Sequence, residues 1–230
     1  MISSAFSRSC YRDAVTEQPT APSKHEERKA RTRAALVKAA QRVIADGREN
    51  VALLEITQLA DVGMGSFYNH FASREHLLQA AVDEALEAHA EFLDRLAQGI
   101  DDPAEVFAQS FRVTGRLHRL FPELSRVLLS YGPALITSDL GLAPRALRDI
   151  NNAREAGRFT VADPQVALML AAGGVLTLGQ SLHDDPERDD ATTTDQMATD
   201  LLRMFGMPDD EAQEICSRPL PSIDRTDLTT

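Results

Sequence analysis

The sequence predicts an all-α chain: a three-helix N-terminal head joined by one long helix to a larger helical body. Three observations predict it. Apolar residues recur at helical spacing through most of the 230 residues, and no segment reads as a convincing strand. Proline and glycine fall between the periodic stretches, where helices start and stop. One apolar stripe, from Leu77 to Leu96, leaves the head and enters the body without interruption.

In chain order, residues 1–23 read as a flexible tail of Ser, Thr, Pro and mixed charge. Ser23-Lys24-His25-Glu26 forms a capping-box pattern. The first helix follows, with Leu36, Val37, Ala40, Val43 and Ile44 on one face, and ends at Gly47. Residues 24–72 form the head. Its motif, residues 52–71, reads as two short helices around the turn Asp61-Val62-Gly63. Phe67 and Phe71 hold the second of these down. Met64, Ser66, Tyr68, Asn69 and His70 remain for its other face.

Ser73 caps a long helix from Arg74 to about Gln98. It is the only continuous mechanical link the sequence offers between head and body. The body, residues 73–216, continues with Asp102-Pro103-Ala104-Glu105 opening a helix to about Leu120. A short helix runs from Phe121-Pro122 to Tyr131, residues 134–143 are ambiguous, and a helix near Pro144 ends at Gly157. Asp163-Pro164 opens an apolar helix to about His183. A last amphipathic helix runs from Thr193 to Phe205, with a short one possible over 208–216, and residues 217–230 read as a second flexible tail.

The formal net charge is −11, which at first argues against a nucleic-acid partner. The distribution reverses that. Lys24 to His76 carries nine basic and seven acidic side chains, a net +2, whereas residues 77–230 carry −13. Phosphate binding needs local positive charge, not a basic total. The early face of the first helix supplies Arg28, Lys29, Arg31 and Arg33.

The motif is similar to the signature of the TetR family of bacterial transcriptional regulators. Ile56, Ala60, Val62, Gly65, Tyr68, His70, Phe71, Glu75, Leu77 and Leu78 match it outright. Ser66 stands for Thr, Phe67 fills the hydrophobic position and Arg74 stands for Lys. Thr57, Asp61 and Gly63 depart, where Ala, the turn Gly and a capping Ser are usual. The resemblance is specific over residues 28–90 and architectural beyond.

The resemblance implies double-stranded DNA as partner. Tyr68, His70, Ser66, Arg74 and Lys29 would hold phosphates. Gly65 would permit close backbone approach, and Met64 and Asn69 would lie near base edges. A two-fold homodimer would place two heads about 34 Å apart on a palindromic operator. Its surface would be the last two helices, through Met169, Gly173, Leu176, Met197, Leu201 and Phe205. The resemblance also implies a small-molecule effector, largely apolar and of unknown identity, in a cavity among the central helices. Candidate lining residues are His89, Phe92, Phe107, Phe111, Thr114, His118, Tyr131 and Met169. The expected function is a ligand-responsive repressor. The alternative is an all-helical protein-interaction module that has lost DNA binding.

Other classes find no support. There is no nucleophile elbow, P-loop, dinucleotide fingerprint or His-Glu-x-x-His, so no enzyme, cofactor or metal is expected. Cys10 and Cys216 form no disulfide framework. No apolar run reads as a membrane span, and the first residues lack a signal-peptide core. The expected place is the cytoplasm, at the nucleoid.

Overall fold

A computed structural model describes residues 23–48 and 50–224. The expected N-terminal tail, residue 23 apart, lies outside them, as does the end of the C-terminal one. The described residues form ten α-helices and one 3₁₀ turn, with no strand among them.

Helix α1 (Lys24–Ala45) begins with the anticipated capping box. The Ser23 N–H donates to Glu26 Oε2 at 2.7 Å, and Ser23 Oγ accepts from the Glu26 N–H at 3.3 Å. Two orphan donors of the first turn are thereby satisfied. Helices α2 (Leu53–Leu59) and α3 (Met64–Phe67) complete the head. Their apolar residues meet α1 in one core containing Leu36, Val43, Ile56, Phe67 and Phe71.

The turn between α2 and α3 carries the departures seen in the sequence. Asp61 has φ 53°, the left-handed region, and is the one non-glycine there among the described residues. That conformation costs an L-residue about 1–2 kcal/mol, less for Asp than for most. Part of any gain from glycine is lost to the freer unfolded chain. Asp61→Gly is therefore expected to raise stability by roughly 0.5 kcal/mol, a melting shift of about 1–2 °C. A thermal melt followed by circular dichroism measures it. A lower melting temperature would mean that the Asp61 side chain itself holds the turn.

Helix α4 (Arg74–Leu96) is capped by Ser73, whose Oγ accepts from the His76 N–H at 3.2 Å. At about 1.5 Å per residue it is roughly 35 Å long. It does not connect head and body alone. Helix α1 packs against both α4 and α6 (Pro122–Tyr131), so the head rests on two body elements. Val127, Leu128 and Leu135 belong to the same buried cluster as Leu36 and Phe67. The head's core thus runs on into the body.

The body is built around α5 (Pro103–Leu120), which packs against α6, α7 (Leu142–Glu155), α8 (Pro164–Asp184) and α9 (Asp190–Met204). Two close approaches set its geometry. A Cβ on Gly115 would lie 2.2 Å from the Thr194 side chain, and one on Gly179 would lie 2.4 Å from the His118 ring. Helix α10 (Asp209–Ser217) then closes over α9.

Three expectations are corrected here. Residues 134–143, ambiguous in sequence, begin inside a 3₁₀ turn (Gly132–Thr137), and α7 starts at Leu142, before Pro144. The chain beyond 216 is not free. Leu220 and Ile223 pack against Phe92, Val113 and Leu117, and Arg112 Nη1 donates to the Arg218 carbonyl at 2.9 Å. Helix α8 is long and apolar enough, by length and composition, to cross a membrane, with a mean hydropathy of 1.4. In this fold it packs on α5, α7 and α9, but much of its apolar surface stays uncovered.

Candidate DNA interface and effector cavity

Helix α3 stands on its aromatic residues. Phe67 is fully buried, with the Phe71 ring 5.9 Å away, and this fixes the other face of the segment outward. Gly65, Ser66, Tyr68 and Asn69 are exposed there, Tyr68 by 60 % with its ring edge-on to Phe67. An aromatic phenol held by its ring and free at its hydroxyl suits a phosphate oxygen. A Cβ on Gly65 would meet nothing within 4 Å, so no packing inside the protomer requires glycine there.

His70 sits half-buried beside Lys29 and Arg33. Burial pushes its imidazole below the usual range, and the two cations push it further. The sequence grouped Arg33 with the basic face of the first helix. Its guanidinium stacks over Phe71 and pairs with Glu84 of α4. Together these contacts gather basic side chains beside His70, where α1 meets the segment after α3.

Two expected DNA contacts are placed differently from their neighbours. Met64 is half-buried, with Sδ 3.5 Å from the Thr57 hydroxyl, which itself donates to the Leu54 carbonyl at 2.9 Å. Thr57 and Met64 thus pack the start of α3, where Gly63 offers no side-chain cap. Arg74 is tied to the head, with Nη1 3.4 Å from the Val51 carbonyl and Nε 3.4 Å from Glu75.

The body holds a partly open cavity of about 80 Å³ between α4, α5, α7 and α8. Phe107, Phe111 and Thr114 of α5 line it. Leu93, Leu135, Leu142, Leu168 and Val175 add apolar surface. The opposite side is polar. Arg145 donates from Nε to Asp94 Oδ2 at 2.6 Å and from Nη2 to Glu87 Oε1 at 2.6 Å. Arg148 Nη2 donates to Asp94 Oδ1 at 2.8 Å, and its Nε to Asp149 Oδ1 at 2.9 Å.

This network has a graded burial. Asp149 is buried, whereas the Arg148 side chain is 47 % exposed, so the polar side runs from the cavity to solvent. Burial pushes the Asp149 carboxyl up, with Arg148 pulling it back. At Glu87 the Arg145 hydrogen bonds win, and its carboxyl lies below the usual range. Asp94 is also lowered: burial opposes this, but the bonds from Arg145 and Arg148 outweigh it. None of these residues stood out in the sequence. Arg145, Arg148 and Asp149 stand at helical spacing, a pattern that also describes an ordinary solvated face.

Five expected lining residues lie elsewhere, each for a packing reason. His89 is fully buried behind Thr114, with Nε2 3.2 Å from Thr114 Oγ1. Phe92 belongs to the separate cluster with Val113 and Leu117, under the Arg95 guanidinium. His118 Nδ1 is 2.6 Å from Ser125 Oγ, which is 2.9 Å from His183 Nε2, a polar chain across α5, α6 and α8. Tyr131 accepts from Gln79 Nε2 at 3.3 Å, beside the head. Met169 is 54 % exposed on the outer face of α8.

Two of the six expected dimer residues are corrected too. Leu201 and Phe205 are buried in the protomer's own core, Phe205 between Phe107 and Phe159. Met197 packs partly into that core and Leu176 partly into the head-side one. Gly173 faces open space. The exposed apolar residues of these helices are Val166, Met169 and Leu170 on α8 and Met204 at the end of α9.

The fold alone does not assign the function, but a helix-turn-helix head on a helical body is an architecture that DNA-binding regulators use. Comparison with known families agrees. A family model described as bacterial regulatory proteins, tetR family, matches residues 36–81, and one described as tetracyclin repressor-like, C-terminal domain, matches 102–218. The chain belongs to the TetR family of transcriptional regulators. Among solved structures, RolR in complex with its ligand resorcinol is 34 % identical over 86 % of this chain and 100 % of its own, with a TM-score of 0.60. RolR without ligand is 36 % identical over 83 % and 100 %, with a TM-score of 0.65. A TetR-family regulator from Pectobacterium atrosepticum shares the fold at 23 % identity over 80 % and 95 %, with a TM-score of 0.54. No curated protein sequence matches the chain.

Proposed function

We propose that the chain is a homodimeric repressor that leaves a palindromic operator when a small, largely apolar hydroxylated aromatic molecule occupies the central cavity. The two-sided lining of that cavity carries the reading. Phe107, Phe111 and Leu168 offer an apolar bed, and Asp149 and the Arg145–Asp94 pair offer hydrogen-bonding groups at one edge. A phenolic hydroxyl donates to a carboxylate and accepts from a guanidinium, and the ring takes the apolar side. The cavity, about 80 Å³, is far below the roughly 300–1,000 Å³ of drug-sized sites and below the roughly 150 Å³ that takes benzene, so a single ring is its upper limit and widens it on binding. RolR, whose structure holds resorcinol, supports the same class.

The DNA side of the proposal rests on Tyr68, His70, Ser66, Asn69, Gly65 and Lys29, with Met64 and Arg74 as supports of the head. The dimer side rests on the uncovered apolar face of α8, which a second copy would bury through Met169, Val166, Leu170 and Gly173. The experiment is fluorescence anisotropy on the DNA upstream of the chain's own coding sequence, with and without resorcinol. Wild type is expected to bind with strong salt dependence and to lose affinity roughly 10–100-fold with resorcinol. Tyr68→Ala is expected to weaken DNA binding about 10-fold or more, at least ~1.4 kcal/mol. Asp149→Asn is expected to bind DNA but ignore resorcinol. Unchanged affinity in Tyr68→Ala defeats the DNA assignment, and a full resorcinol response in Asp149→Asn defeats the effector site.

A further inference from the structure

The cavity and the head share a wall. Leu135 lines the cavity and also belongs to the buried cluster that contains Leu36, Phe67 and Leu128. It lies on the segment between α6 and α7, and that segment is bounded by two glycines with unusual backbone. Gly132 has φ 54° and ψ −139°, and Gly141 has φ 73° and ψ −127°, conformations that L-residues rarely adopt.

Each end of the segment is held by a different part of the molecule. At the Gly141 end, its N–H donates to Glu87 Oε2 at 3.1 Å and its carbonyl accepts from Arg145 Nη1 at 3.1 Å. That is the charged network along the cavity's polar edge. At the other end, Tyr131 meets Gln79 of α4, and Leu128 packs in the cluster under α1. The close approach of Gly141 to Leu86, 2.7 Å for an added Cβ, fixes this end against α4.

We propose that residues 132–141 are a lever between two glycine hinges, and that Leu135 is the positioning residue through which cavity occupancy reaches the head. This rests on the reading that cavity occupancy controls DNA affinity. A ligand that displaces Arg145 or presses on Leu135 shifts the segment, and α6 with it. Because α6 packs on α1, the head moves even if α4 stays straight. A packed core passes such a shift on instead of absorbing it. The side chain of Leu135 is the part that touches both compartments.

The test uses a filled cavity in place of an effector, read on the full-length protein. Ala171, buried on α8, lines the same cavity as Leu135. Ala171→Phe is expected to weaken affinity for the upstream DNA about 10-fold with no ligand present. Leu135→Ala carries its own effect on affinity, measured as the second reference, and in that background Ala171→Phe is expected to weaken DNA binding by no more than about 3-fold in place of about 10-fold, the coupling of a double-mutant cycle. A merely structural Leu135 would leave the full filling effect in place in both backgrounds. A filling effect undiminished by Leu135→Ala overturns the lever, and so does a filled cavity that leaves DNA affinity unchanged. If Ala171→Phe melts early, Ala171→Leu serves the same cycle. Calorimetry of wild type with resorcinol runs alongside. No heat there overturns the effector class, while the lever still stands or falls by the double-mutant cycle.

Discussion

Phe205→Ala is expected to lower the unfolding free energy by about 3–5 kcal/mol, the usual cost of removing a buried aromatic from a core. The ring is 1 % exposed, with its centroid 5.4 Å from that of Phe107 and 5.2 Å from that of Phe159. Those two are 5.6 Å from each other, edge-on. Removing one ring therefore leaves the other two facing a void. The backbone around it cannot easily collapse, because the Phe205 carbonyl accepts from the Thr160 N–H at 2.8 Å and Gly206 turns with φ 94°. Urea unfolding measures the loss. A change under about 1 kcal/mol would be a surface value and would return Phe205 to the dimer face. The complementary variant is Leu170→Glu on the exposed side of α8. It is expected to keep the fold and shift sedimentation towards a monomer.

Phe205 also shows where sequence reasoning stopped. The period of α9 places Met197, Leu201, Met204 and Phe205 on one side, and a stripe that wide covers more than one neighbour. The structure divides it: Leu201 and Phe205 face α5 and α10, while Met204 is 61 % exposed. Periodicity says that a residue faces inward, not what it meets. The same holds for α4, whose stripe contains both His89, behind the cavity, and Phe92, in another cluster. Local signals carried further. The capping box at Ser23, the Asp-Pro starts of α5 and α8, and the Ser73 cap were all legible, because a cap depends on residues within one turn. The Glu87–Arg145–Asp94 network was not, because it joins residues more than fifty positions apart.

Acid is expected to weaken the body before its lowered carboxylates, Glu87 and Asp94, titrate. Burial drives His89 from 6.5 down to about 3, with His118 adding repulsion, and drives His118 down to about 4, with His183 adding and the Val175 carbonyl opposing. His183 is lowered by burial, then by Arg126 and Arg119, with Asp184 opposing. In the unfolded chain each imidazole takes its proton near ~6.5. Between there and the folded values the unfolded state binds more protons, so stability is full above about pH 6.5 and falls as pH drops. His118 alone then withdraws about 3 kcal/mol by pH ~4. The lowered carboxylates Glu87 and Asp94 act below their own unfolded values, so the loss between about pH 6.5 and 5 belongs to the histidines. Asp149, whose carboxyl is raised, works the other way and blunts the fall slightly. Melting temperatures from about pH 8 to 4.5 should be flat at first and then decline. His118→Gln can keep a hydrogen bond to Ser125 Oγ without titrating, and it should flatten the decline whatever its stability at neutral pH. A decline of unchanged steepness in that variant would mean that folding does not lower the His118 imidazole and that the loss comes from other groups.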